Sequence, residues 1–299
     1  MKILLKKIIS KRLWEKLANT KNALKRKAYF LFETAGASFI TMLPDRFLIF
    51  LKANAVMRKK MDYKKKDIFL DIESKIEYDV RLHSCKKEPE MIGWIHSFIN
   101  HGEVLYDIGA NVGAYSLVAS KHLNGKIKVY AFEPGFITFV QLCKNIYLNN
   151  CQESIFPLQI ALSDKTNIEI FNYNNLIPGG ALHALGDAVD DKGDQFNPVF
   201  KQLVISFRLD DLIKLFYLPV PNHIKIDVDG IEFKILQGAT ETLKNCSVRS
   251  LILEAEDGTK ELKKIIEYLK QKGFDLHSKH KHTETMGNYI FKRVVANAC

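Results

Sequence analysis

Short apolar runs and helix-compatible segments take turns along the last two thirds of the chain. Runs at 103–108, 128–133, 155–161, 223–228 and 248–255 alternate with segments at 114–123, 136–149, 231–245 and 259–272 whose apolar spacing suits helices. The first run has no polar face: Val104, Leu105, Tyr106 and Ile108 are β-formers crowded together, as in a parallel strand covered on both sides. This alternation predicts an α/β domain with a mostly parallel sheet and helices on both faces. Two closing runs, 274–277 and 288–294, are near enough to form an antiparallel hairpin at the sheet edge. One stretch breaks the rhythm. Residues 172–203 are rich in Asn, Gly and Asp and carry Pro178-Gly179-Gly180; long loops in compact domains often act as lids or binding loops, so this insertion is a candidate for ligand recognition.

The ends of the first two strands carry the candidate chemistry. The first stops at Asp107-Ile108 and turns through Gly109, Asn111 and Gly113 into a helix, and the second stops at Glu133. Glycines let a ligand approach bare backbone. A dinucleotide site needs G-x-G-x-x-G so that a pyrophosphate can lie on the turn, whereas this spacing is G-x-x-x-G behind an acid that would repel phosphate. S-adenosylmethionine has no phosphate and carries an ammonium that Asp107 can hold. Its ribose diol suits Glu133, since a carboxylate accepts two hydrogen bonds.

Four segments strengthen that reading: Asp107-Ile108-Gly109-Ala110-Asn111-Val112-Gly113, Ala131-Phe132-Glu133-Pro134, Ala161-Leu162-Ser163-Asp164 and Ile224-Lys225-Ile226-Asp227-Val228-Asp229-Gly230-Ile231-Glu232. Through them the chain resembles the FkbM-like family of class I S-adenosylmethionine-dependent methyltransferases over about residues 85–260. The third place of Asp227-Val228-Asp229-Gly230 is more often Glu in that family, a departure that keeps the charge. The resemblance implies a Rossmann-like fold with a reversed last strand, and cofactor contacts from Asp107, Gly109, Ala110, Asn111, Gly113, Glu133, Pro134 and Ala161. It also implies O-methylation, in known members often of sugars of glycans or secondary metabolites, without naming the acceptor; the leading expectation is a carbohydrate, glycan or glycolipid hydroxyl.

A sugar hydroxyl is a weak nucleophile near neutrality and needs a base or a metal. Asp227, at the end of the 223–228 strand, is the first candidate for the base, and His183 in the insertion is the second. Asp229, Glu254 and Glu256 lie at neighbouring strand ends. Grouped carboxylates of this kind also bind divalent ions, but no residue is assigned as a metal ligand. His277, His280 and His282 surround the expected edge hairpin, away from the active end. Asp187, Asp190, Asp191 and Asp194 lack the spacing of a calcium loop. The chain also lacks the Pro-Pro-aromatic motif of exocyclic-amine methyltransferases and any Pro-Cys pair, so base methylation is disfavoured.

Charge then divides the chain. Residues 1–66 hold 18 Lys/Arg against 4 Asp/Glu, a balance of +14, so the rest carries 26 against 30, or −4. Three regions are expected: a basic helical extension at 1–66, a connecting segment at 67–81 and a methyltransferase domain at 82–299. In residues 1–30, basic residues interleave with Leu4, Leu5, Ile8, Ile9, Leu13, Trp14 and Leu17, which fits a helix lying on an anionic membrane surface or packed on the domain. The alternatives are an RNA methyltransferase, although nucleic acid is the less favoured partner, and a membrane-associated binding module without catalysis. No stretch reads as a bilayer span, and Lys6 and Lys7 cut short a signal-peptide core. The five scattered cysteines read as reduced thiols. Together these place the protein in the cytoplasm, peripheral to the membrane.

Overall fold

The computed structural model describes residues 35–36, 39–40, 42–189, 193–281 and 283–294. The chain divides into two compact units, Met1–Val56 and Met57–Cys299. In the first, helix α1 (Asp45–Asn54) follows Pro44 and closes with the Ala55 N–H on the Leu51 carbonyl. The 1–30 helix expected from the sequence lies outside the described residues.

The second unit begins earlier than residue 82. Arg58–Lys60 forms β1 and pairs antiparallel with β2 (Phe69–Asp71), while Met61, Tyr63, Ile68 and Leu70 are buried. The boundary at residue 66 is therefore corrected to 56, because the apolar residues between the lysines belong to the core. Within the connecting segment, α2 (Lys75–Asp79) starts in a capping box: Ser74 Oγ accepts the Glu77 N–H, and the Glu77 carboxylate accepts the Ser74 N–H. Helices α3 (Ser84–Lys87) and α4 (Pro89–Phe98) follow.

The alternating units come next: β3 (Val104–Ile108), α5 (Ala114–His122), β4 (Lys128–Phe132), α6 (Phe136–Leu148) and β5 (Ile155–Leu158). Past the insertion lie α7 (Leu209–Phe216), β10 (His223–Ile226), α8 (Glu232–Gly238), β11 (Ser250–Glu256), α9 (Lys260–Gln271), β12 (Phe274–Lys281) and β13 (Met286–Arg293). They make one seven-stranded sheet in the order β12-β13-β11-β10-β3-β4-β5, with β13 antiparallel to both its neighbours and the other pairs parallel. This is the reversed last strand. Strand alternation sorts side chains into two cores: Leu105 and Val129 join Leu117 and Leu142 of α5 and α6, whereas Tyr106, Ile108 and Ile224 join Leu212, Ile235 and Ile265 of α7, α8 and α9.

The insertion is a second sheet and not a bare loop. β6 (Ala161–Leu162), β7 (Asn167–Tyr173), β8 (Ala184–Leu185) and β9 (Phe200–Phe207) form the order β6-β9-β7-β8. β7 and β9 pair over seven residues, from Asn167↔Ser206 to Tyr173↔Phe200. The expected 155–161 strand is split by this change of sheet between Leu158 and Ala161.

A buried polar chain closes the amino end of the parallel strands. His223 lies 2.7 Å from both Ser250 Oγ and Glu103 Oε2, and the Trp94 indole donates to Ser250 Oγ at 2.9 Å. Burial lowers the His223 imidazole to about 4, below the roughly 6.5 of an unfolded chain. Between those values the unfolded state binds the proton more readily. The stabilisation is thus complete above about pH 6.5 and is lost as pH falls towards 4. Urea midpoints are expected to drop over that window, and His223→Gln should flatten part of the drop; an identical pH slope in the variant would remove His223 as a source.

Candidate active site

A cavity of about 480 Å³ opens at the carboxyl ends of β3, β4, β10 and β11, where open α/β sheets bind ligands. Its floor comes from strand tips: Ile108 and Gly109 after β3, Phe132, Glu133 and Pro134 after β4, Asp227 to Asp229 after β10, and Glu254 in β11. Ile76, Val80, Arg81 and Lys87 supply one wall. Asn174, Asn175 and Gly180 to His183 also line it, as a strap between β7 and β8.

The strap is tied down through its backbone. Pro178 O accepts the Ser74 hydroxyl at 2.7 Å, Gly179 O accepts Arg81 Nε at 3.0 Å and Nη2 at 2.8 Å, and Gly180 O accepts Asn111 Nδ2 at 2.8 Å. At its far end the His183 N–H donates to Asp229 Oδ2 at 3.1 Å. Asn111 therefore joins the glycine turn to the strap. Its φ of 49° is one that Asn tolerates better than most residues.

Gly109 has a φ of +77°, and a Cβ there would overlap the Asp227 carbonyl oxygen, so β3 and β10 can close only around glycine. Gly113 has a packing task. It does not line the cavity; a Cβ there would meet Leu142 Cδ1 at 2.5 Å, so it lets α5 start against α6. Ala110 is also buried off the cavity, its N–H on the Phe132 carbonyl. Pro134 and Ala161 do line it.

The acids have separate tasks. Asp107, expected to hold an ammonium, is 1% exposed and absent from the cavity wall. It lies directly across from Lys225 in the β3–β10 register, with Lys225 Nζ 2.9 Å from its Oδ1 and the Ser116 hydroxyl donating to its Oδ2 at 2.6 Å. That pairing engages the side chain beneath the turn. Lys225 also reaches Asp227 Oδ2 at 3.2 Å. Burial opposes the Asp227 charge, but Lys225 and Lys87 outweigh it and hold the carboxyl below its ordinary range. Asp229 differs. Burial, reinforced by the Asp227 charge, lifts it to about 7.

Glu133 lines the cavity and accepts the N–H groups of Asn111 and Gly135, each at 2.9 Å, and the Thr138 hydroxyl at 3.1 Å. Burial raises its pKa against these bonds. Each carboxylate oxygen has two lone pairs, so Oε2 retains capacity for a ligand hydroxyl. His183, the second candidate base, also lines the cavity, but its Nδ1 accepts the Asn174 N–H at 3.2 Å. The ring is neutral, because burial and Arg81 lower it to about 4. Its proton is therefore on Nε2, and the ring offers the cavity a donor and not a base. Among the described residues, no group of three or more His, Cys, Asp or Glu is placed to hold a metal ion; His282, Asp190 and Asp191 lie outside them.

Sequence reading overlooked Arg81 and Lys87, and placed Asp229 at the strand end without giving it a task. The S-x-x-E capping box at Ser74–Glu77 was the available signal that structure, and hence wall, begins before residue 82.

Residues 107–276, more than half of the chain, match the sequence profile of the methyltransferase FkbM domain. The chain belongs to the FkbM methyltransferase family. It is an S-adenosylmethionine-dependent methyltransferase. It is 26% identical over 178 residues to the hexuronic acid methyltransferase AglP of Haloferax volcanii, covering 60% of this chain and 66% of that protein. It is also 26% identical over 193 residues to the 31-O-demethyl-FK506 methyltransferase FkbM of Streptomyces tacrolimicus, covering 58% and 73%. Among solved structures, M. jannaschii TYW2 in complex with AdoMet aligns with a TM-score of 0.41 at 12% identity, over 80% of this chain and 87% of that one.

The FkbM cofactor fits the residues present. Glu133 stands beside apolar wall from Phe132, Ile160 and Leu162, a combination suited to a ribose diol and a purine. Glu133→Ala is expected to raise the dissociation constant for S-adenosylmethionine by about 10- to 100-fold, the loss of charge-assisted hydrogen bonds. Calorimetry showing unchanged affinity would remove the ribose contact from this residue.

Proposed function

We propose that this FkbM methyltransferase methylates a hydroxyl group of a carbohydrate, presented as a glycan or glycolipid. The observation that carries the reading is Asp229, a cavity-lining carboxyl near 7 beside a second, firmly ionised one. A general base works best when its pKa is near the operating pH, and hydroxyl methylation needs such a base. When bound, the cofactor supplies a sulfonium methyl for displacement by the acceptor oxygen.

The chain's own residues do the rest. Glu133 accepts hydroxyl hydrogen bonds from the ribose. Asp229 takes the acceptor hydroxyl proton on a carboxylate oxygen, and Asp227, kept ionised by Lys225, favours positive charge nearby. The strap excludes water and aligns the acceptor, which supplies much of the rate. An acidic sugar is the favoured class. Arg81 and Lys87 bring cations to one wall, and the archaeal relative is a hexuronic acid methyltransferase by name.

Incubating the full chain with methyl-labelled S-adenosylmethionine and a panel of neutral sugars, uronic acids, amines and RNA is expected to yield labelled methyl ethers, most readily on uronic acids. Label found only on amines or RNA would overturn the reading.

A further inference from the structure

We infer that the first unit is an anchor that lies on an anionic lipid bilayer, with α1 inserting its apolar residues among the acyl chains. Two observations carry this independently of the acceptor assignment.

The first is an apolar surface out of keeping with a helix in water. α1 contains Phe47-Leu48-Ile49-Phe50-Leu51, and none of its residues is buried. Ile49 is 68% exposed and Phe50 59%, and Phe39, Ile40 and Met42 are exposed just before it. The Phe47 and Phe50 rings stack at 6.4 Å and present one aromatic face. Contiguous apolar surface of this kind marks an interaction site. The second observation is charge. Residues 1–56 hold 12 Lys or Arg against 3 Asp or Glu, and Arg46 and Lys52 flank the apolar run within α1 itself.

Only one occupant uses both features. A second copy of the same unit would bring like charge onto like charge. Nucleic acid would satisfy the lysines and arginines, but aliphatic side chains gain nothing from phosphates. A bilayer with anionic headgroups takes the cations at its surface and the Phe, Ile and Leu side chains just below it. The helix lies in the interface and does not cross: α1 has ten residues where roughly 20 are needed, and no described helix is long and apolar enough to span a membrane.

Flotation of the full chain tests this with vesicles of phosphatidylcholine alone and of phosphatidylcholine with phosphatidylserine. Wild type is expected to float with the anionic vesicles and to lose most of that binding at high salt. Phe47→Ser with Phe50→Ser should reduce partitioning at least tenfold while S-adenosylmethionine binding is retained. Phe50→Trp guards against misfolding: it should still float, and its added fluorescence should shift to the blue on anionic vesicles only. Equal flotation with both vesicle types, undiminished binding by the double variant, no blue shift, or retention on RNA without flotation would each overturn the proposal. These outcomes are read by binding and the methylation reading by labelled product, so either can fail while the other stands.

Discussion

Replacing Asp229 by Asn is expected to lower turnover by about 10²–10⁴-fold, the usual contribution of a positioned general base, with S-adenosylmethionine affinity nearly unchanged. The amide cannot take a proton. It can still accept the His183 N–H that the carboxylate accepts at 3.1 Å, so the strap end keeps its tie. In the wild type kcat/KM should rise with pH through about 7, where Asp229 loses its proton, and that limb should vanish in the variant. Asp227→Asn separates the two acids. Since the Asp227 charge helps to hold Asp229 up, removing it should move the limb to lower pH and leave substantial activity. If Asp227→Asn abolishes turnover and Asp229→Asn does not, the roles are reversed.

The second large effect is on stability. Lys225 is 2% exposed and pairs with both Asp107 and Asp227. Lys225→Met would leave Asp107, 1% exposed, as a buried charge without its cation, a change that typically costs about 3–5 kcal/mol. Urea unfolding near neutrality should show a loss of that order. The sign with pH is diagnostic. In the variant Asp227 loses the cation that offsets its burial, so the deficit relative to wild type should shrink as pH falls. Asp107→Leu added to Lys225→Met should recover part of the loss. A single variant as stable as wild type would show that the buried pair contributes nothing to stability.

These two expectations indicate which parts of the site were legible in the sequence. Strand ends were: a crowded apolar run that stops at an acid can only be a buried strand meeting the surface, and Glu133 and Asp227 do reach the cavity. Asp107 is at a strand end by the same rule but is buried off the cavity wall. Its fate depended on register, which sets it across from Lys225 in β10, more than a hundred residues away in sequence. Polar turn residues drew attention from the second sheet, although 167–173 and 200–207 are rich in β-formers and are separated by the strap. The domain boundary was lost for a related reason. The lysines around Met61 and Tyr63 dominate the charge count, while those two residues are buried. A composition average cannot tell a basic arm from the basic rim of a core.

The strap is fastened at Pro178, Gly179 and Gly180 by their carbonyls and at His183 by its amide. All four fastenings use backbone atoms of the strap, and Gly179, at a φ of +74° with Glu77 Cγ 2.8 Å from where a Cβ would stand, has to remain glycine. Asn174 and Ala181 can therefore be exchanged without breaking these ties, whereas Asn175 accepts the Ile177 N–H and Leu182 holds a φ of 62°, so a scaffold built this way varies its cavity wall by point substitution at a few positions while the strand tips are inherited intact.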